Sequence, residues 1–597
     1  MKTTLLTAWC LVMIGILHAQ DYENYIGAGN TDGVTITSSS AEEGNEAIKV
    51  IDGSGLDAAK MEAARFLSQA SFGGGLDDID DVLDMGFEAW LDDQATKPVS
   101  IVSDFYFDFW DEIYNTYISA GFDEEDVFGP YTVHFNYAWY EMLMTKEDML
   151  RQRMAYALSQ ILVTSYNSGL ADYNETIPYY YDLLLEHSLG NYEDLLLGVS
   201  KSITMGFYLS HFNNPKADPD NNIHPDENFA REIMQLFSIG LYELDIDGQP
   251  TEDVNGDWIP TYDNDDIKEL AKVFTGFGPG DINEVVDWTT DPYFGLGMWG
   301  ADLQAPMMMF DDFHEQGEKV LLGGAHIIPS GQTGDQDVEE AVNFLFNHDN
   351  VGPFLSYRLI QRLVKSNPTP AYVQRVAEAF NDNGEGVRGD LFAVAKAILL
   401  DEEARDCVWQ EDVTSGKLTE PVLTVAKVMK SIPLETSLGT YWNNGYDLLW
   451  QMGQSPMYSP TVFNFYQTDH QPIGPLTDEG LVAPEFQIFN TLTSVGTLNK
   501  MHHWTIWNFV TYDWEDDEVF GEGYTYIDET WMEDKITTLG AEGMMNELDI
   551  LLTHGKLSED WRDEIRTAVD SYNWGPISHA EMTIYLMLSH PDFMIAK

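Results

Sequence analysis

From Asp57 onward, apolar residues recur every three or four positions, the spacing that gathers them on one face of an α-helix. In LDAAKMEAARFLSQASFGG, from Leu56, the pattern predicts one helix ended by Gly73 and Gly74. DDIDDVLDMGFEAWLDDQ, from Asp77, repeats it as two short helices broken at Gly86. The same period predicts helices in MLRQRMAYALSQILVTS, YYYDLLLEHSLGNYEDLLLGVSKS, DIKELAKVFTGF and DVEEAVNFLFN. It continues through VGPFLSYRLIQRLVKS, PAYVQRVAEAFND, LFAVAKAILL and TEPVLTVAKVMKSI. Strand signals are sparse. The best is DIDGQPTEDVNGDWIPTY, where Asn255-Gly256 predicts a hairpin turn. The expected fold is mainly α: a large multi-helical globular domain over residues 58–597, with long loops and a minor β-hairpin.

The N-terminal region breaks this pattern. Residues 1–19 carry one lysine and an apolar run from Leu5 to Leu17, then Ala19 before a polar stretch. This reads as a signal peptide, too short and wrongly flanked for a membrane anchor. Residues 20–57 are rich in Gly, Ser, Thr and acidic side chains, which predicts a poorly ordered leader with one short strand at Val34–Ile36. The expectation is an exported protein, periplasmic or extracellular, with no transmembrane segment. Without the signal, Cys407 is the sole cysteine, so no internal disulfide is expected and stability must come from the core.

Composition is consistent with such a core: 44% of the 597 residues are hydrophobic and 13% aromatic. Charge is the unusual feature, with 30 Lys and Arg against 100 Asp and Glu, a formal net charge of −70. Such a surface repels nucleic-acid backbones and anionic membranes, so neither is expected as a partner. No phosphate-loop, dinucleotide-binding, nucleophile-elbow or haem-attachment motif occurs; the sequence names no cofactor and leaves a divalent metal possible.

Four groups of residues carry candidate chemistry. HPDENFAREIMQLFSIG, from His224, sets an apolar stripe of Phe229, Ile233, Leu236 and Phe237 against a polar arc holding Glu227, Asn228, Arg231, Glu232 and Gln235. Glu227 and Arg231 are spaced to pair along the helix, and an internal structural role is preferred over a catalytic one for Glu227, Arg231 and Glu232. His314 and Glu315, near Asp311, Asp312 and Lys319, could hold a metal or move a proton, with His224 as a further possible ligand. No recognised zinc spacing supports this, and a hydrogen-bonded loop is the simpler account. Arg358, Arg362 and Lys365 form a basic stripe able to grip a carboxylate or phosphate, or to make internal salt bridges; Lys319 is a further binding candidate. Asp253, Asn255 and Asp257 imitate the opening of a calcium loop, but Trp258 and Asn264 stand where glycine and glutamate would be needed. The sixteen tryptophans and thirty tyrosines could line a glycan-binding cleft, although a large helical core uses aromatics too.

Several segments together carry a resemblance: AARFLSQASFG, PDENFAREIMQLFSIGL, DIKELAKVFTGF, FHEQGEKVLLGG, RLIQRLVKSNPTPAYVQRVAEAF, GVRGDLFAVAKAILLDEEAR and SPTVFNFYQTDHQPIGP. Their order and spacing resemble the bacterial family catalogued as domain of unknown function 1800, DUF1800, from about residue 58 to the C-terminus. The resemblance implies an exported, largely helical protein, often encoded beside a second exported protein, and supplies no activity. Family members often show His-Asp where this chain has His314-Glu315. Many also follow a run like LRQRM with Trp-His-Asn-His, where this chain has Leu158, Ser159, Gln160 and Ile161. Any metal or proton chemistry of that histidine pair is lost here or done differently.

The functional expectation is a non-catalytic scaffold or binding protein acting with another exported protein or a surface polymer. The alternative is a metal-assisted hydrolase or oxidoreductase with a His/carboxylate site. The charge balance makes a prediction of its own. Raising monovalent salt from about 0.01 M to about 1 M shortens the screening length from about 30 Å to about 3 Å, and should raise the melting temperature by relieving self-repulsion. A melting temperature that falls over that range would contradict it.

Overall fold

The computed structural model describes residues 56–283, 293–405, 414–437, 439–441, 448–507, 517–520, 525–571 and 575–596. The expected signal peptide and the expected strand at residues 34–36 lie outside the described residues, as do Cys407 and all but the end of the expected leader. The protein is mostly helical, as its periodicity predicts. The described strands form four antiparallel two-stranded sheets, each strand only two or three residues long.

Most of the expected helices are present. The first spans Ala58–Ala70; the Asp57 carboxylate accepts hydrogen bonds from the amides of Ala59 and Lys60, satisfying donors that the helix start leaves unpaired. The helix over Met149–Ser159 is buried along its whole length, polar residues included. Its Arg151 guanidinium therefore donates to the Leu185 carbonyl, and Gln152 donates to Asp148, in place of water.

Several helices give no clear periodic signal in the sequence. VSDFYFDFWDEIYNTYISA folds as one helix, Val102–Ala120, although its aromatic density reads equally well as strand. Tertiary contacts decide it. The helix packs on Val133–Thr145 and Thr176–His187, and Asp182 of the latter accepts from the amides of Val102 and Ser103 at its start. Near the C-terminus, Glu529–Leu548 packs on Pro576–Leu588, which also meets Thr491–Ile506 and Glu559–Ser571. Buried apolar side chains from Leu56 to Met594 form one contiguous core.

The expected hairpin is a looser ribbon. Isolated bridges pair Tyr242 with Pro260, Leu244 with Pro250 and Glu252 with Trp258, because Pro250 and Pro260 cannot donate to a regular ladder. Its turn forms at Asn255-Gly256, with Gly256 at φ 83°. The Asp253 carboxylate accepts from the amides of Asn255 and Asp257, and these bonds hold its pKa below the usual value. That is the hairpin turn preferred over a calcium loop.

Three further helices fix the central region. Val351–Leu363 packs on Pro370–Asn381, which packs on Leu391–Leu399. Asn350, fully buried just before Val351, donates to the carbonyls of Ile239 and Tyr242 and accepts from the amide of Leu244. One amide side chain thereby ties the ribbon to the start of the Val351–Leu363 helix, and sets the wall of the cavity described next.

Candidate functional site

A cavity of about 530 Å³ opens between the ribbon, the Val351–Leu363 helix and the segment around Tyr466. Arg358 and Arg362 stand one helical turn apart and both line it. The Arg358 guanidinium lies over the Phe354 ring at 4.6 Å and donates to the Thr468 hydroxyl. The Arg362 guanidinium lies over the Tyr466 ring, also at 4.6 Å. Arg362 is only 2% exposed, yet its Nε and Nη1 make no hydrogen bond among the described residues. Burial, with the charge of Arg362 beside it, pushes the pKa of Arg358 down to about 10.

Behind the cavity sits a buried ionic web. The helix carrying the two arginines ends at Leu363, and two cations take its last free carbonyls: Lys417 donates to those of Gln361 and Arg362, and Arg153 to that of Arg362. Lys417 also pairs with Glu485 at 2.9 Å. Glu420, completely buried, accepts from Gln160 and Gln454, with the Tyr466 hydroxyl at 3.4 Å. Burial lowers the pKa of Lys417, against the charges of Glu485 and Glu420, and burial lowers that of Arg153 against Glu420. Arg153, Arg358, Arg362 and Lys417 thus face two buried carboxylates, Glu420 and Glu485, and one exposed carboxylate at the cavity rim, Asp469. In a chain of net charge −70, this region carries more cations than anions.

Lys365, grouped with the two arginines by spacing, is not among the cavity-lining residues. The helix has ended before it, and its ammonium lies 3.3 Å from Glu403. Lys319 is likewise internal: only 1% exposed, it pairs with Asp337 and donates to the Glu315 carbonyl.

His314 is fully buried beside Lys319. Its Nδ1 lies 2.8 Å from the Thr275 carbonyl, which can only accept, so Nδ1 carries the hydrogen. Its Nε2 faces Asp337 at 3.0 Å and the Lys319 ammonium at 3.2 Å. Both ring nitrogens are therefore engaged inside the chain. Asp311, Asp312 and His224 are exposed; Asp311 accepts from the Gly334 amide, and Glu315 accepts from the Gly317 amide. Among the described residues, no three His, Cys, Asp or Glu side chains are placed to hold a metal ion.

The polar arc after His224 divides in two. Glu227 and Arg231 pair at 3.5 Å but are 40% and 39% exposed, so the pair contributes at most about 1 kcal/mol. The internal role preferred for the arc therefore does not extend to Arg231, which is half-exposed. Glu232 instead turns inward at 6% exposure, on the same side as Phe229 and Ile233, and its Oε2 has no hydrogen-bond partner among the described residues. Burial raises its pKa, against Arg231. Tyr208 and Tyr262 are pushed up to about 12, first by burial and then by the charge of Glu232.

The cavity residues that sequence reasoning passed over are Gln160, Tyr242, Trp258, Tyr466 and Thr468. Four of them lie in quoted segments that carried other arguments: Gln160 in the departure after LRQRM, Trp258 in DIDGQPTEDVNGDWIPTY, and Tyr466 and Thr468 in SPTVFNFYQTDHQPIGP.

Fold and cavity together define a mostly helical protein with a buried cationic, aromatic-walled cavity. The chain belongs to the DUF1800 family, described as protein of unknown function, whose family model matches residues 65–595. Comparison with curated proteins and with solved structures finds no match.

The His314 cluster makes its own prediction. Burial raises the pKa of Asp337, but the contact with His314, hydrogen bonds from Lys319 and Gln332, and the Lys319 charge outweigh it and hold the group below the usual carboxylate value. A depressed folded pKa stabilises above the unfolded value, about 4, and that contribution is lost as pH falls through the folded value. Asp337→Asn should cost about 3–5 kcal/mol near neutral pH by leaving Lys319 uncompensated. The gap in melting temperature from the wild type should close in acid below about pH 4. Equal melting at neutral pH would contradict a structural role.

Proposed function

We propose that the protein is an exported, non-catalytic binding protein that captures its ligand through one anionic group held by Arg358 and Arg362. The observation that carries this reading is the Arg362 side chain, buried at the cavity with two nitrogens unpartnered among the described residues. A buried donor without a partner costs about 1–3 kcal/mol, and more when charged. The chain has 100 acidic side chains, yet Arg362 is placed over an aromatic ring, with its donors unspent. Guanidinium groups suit carboxylate, sulfate and phosphate because their parallel N–H bonds match two oxygens at once.

The lining favours binding over turnover. It includes no His, Cys, Ser, Lys or Glu side chain among the described residues, and the Thr468 hydroxyl, which stands beside Asp469, already accepts from Arg358. Its volume lies within the range of about 300–1,000 Å³ usual for small-molecule sites. The rest of the surface repels polyanions, which favours a ligand, or the end group of a surface polymer, with a single negative charge.

Inorganic sulfate tests the reading. Sulfate stabilises most proteins by exclusion from their surfaces, so the informative quantity is the difference between wild type and Arg362→Gln at fixed ionic strength. Wild type should gain the larger melting-temperature increase, since a site filled at about 100 times its Kd adds about 2.7 kcal/mol. In chloride the variant should melt no lower than the wild type, since it gives up a desolvated charge. Equal sulfate shifts in the two proteins would overturn the proposal.

A further inference from the structure

Resting on the anion-binding reading above, we infer that the ligand is an acidic saccharide, with a hexuronate carboxylate on Arg358 and Arg362 and a pyranose ring packed on Trp258. The cavity mouth supplies the observation. Trp258 is 53% exposed and meets Tyr242 edge to face at 5.1 Å, both on the ribbon that Asn350 ties down; Phe463, also exposed, lines the cavity as well. A large aromatic surface held open to water by a fixed scaffold is suited to a flat, weakly polar partner. A pyranose has such a face, made of C–H bonds, with hydroxyls around its edge.

The remaining lining matches those hydroxyls. Gln160 is buried, and its Oε1 acceptor has no partner among the described residues, in the same cavity as the unpartnered donors of Arg362. A ligand that both donates and accepts satisfies the two together: a carboxylate accepts from the guanidinium, and a hydroxyl donates to the amide oxygen. Gln235 and Gln467 add further amides, and Asp469 at the rim can accept from vicinal hydroxyls.

Asp469 also argues against other anions. A nucleotide would bring several negative charges towards that carboxylate, in a chain already at −70. A fatty acid has no hydroxyl to donate to the Gln160 Oε1 acceptor.

The test is calorimetric titration of the full-length protein. The probes are a trisaccharide carrying one terminal glucuronate, its neutral glucose counterpart, adenosine monophosphate and inorganic phosphate. The glucuronate trisaccharide should bind wild type at least tenfold more tightly than either the neutral trisaccharide or phosphate. Arg362→Gln and Trp258→Ala should each lose at least tenfold, and Trp258→Phe should recover part of the loss, with melting curves confirming that all variants fold. If phosphate binds wild type but not Arg362→Gln, while the glucuronate sugar gains nothing over phosphate or ignores Trp258→Ala, the saccharide inference is overturned and the anion site stands. Tighter binding of adenosine monophosphate would also overturn it. If neither phosphate nor the acidic sugar responds to Arg362→Gln, the anion-binding reading fails with it.

Discussion

The cavity depends on how the Val351–Leu363 helix ends inside the protein. Its final carbonyls need donors, and in the absence of water these come from Lys417 and Arg153, two buried cations reaching in from other parts of the chain. Once cations occupy that end, carboxylates must follow. Glu485 pairs with Lys417, while Glu420 accepts from Gln160 and Gln454. The web joins residues distant in sequence and fixes the direction of the helix, and so places Arg358 and Arg362 at the cavity. Removing either member of the Lys417–Glu485 pair would leave a charge uncompensated in the interior, so the rigidity of the site and the stability of this region share one cause.

What could be read from the chain follows from how local each feature is. Helices such as Pro370–Asn381 and Leu391–Leu399 announce themselves because one apolar face and a capping residue lie within a single segment. Val102–Ala120 does not, since its start is capped by Asp182 from another helix and its aromatic residues suit either secondary structure. The ribbon shows the opposite failure: strong turn residues predict a hairpin, and two prolines leave only isolated bridges.

The site divides along the same line. Arg358 and Arg362 were legible as a pair because they sit four residues apart on a continuous helix. Lys365 seemed to extend the stripe only because the helix end at Leu363 cannot be read from spacing. Glu232 was assigned to the polar arc with Arg231, but the structure turns it inward. Neighbouring charges in sequence need not share an environment. Trp258 and Gln160 join the cavity through folding alone, so no local pattern could have brought them together.

The central claim is that the Arg358–Arg362 cavity, rather than the His314 cluster or the wider surface, receives an anion. Diffraction from crystals soaked in selenate, whose selenium scatters anomalously, tests it most directly. The account predicts an anomalous peak within hydrogen-bonding distance of the Arg362 nitrogens Nε and Nη1, lost in Arg362→Gln. Selenate found only on the outer surface, with the Arg362 guanidinium instead paired to a carboxylate of the chain, would contradict it.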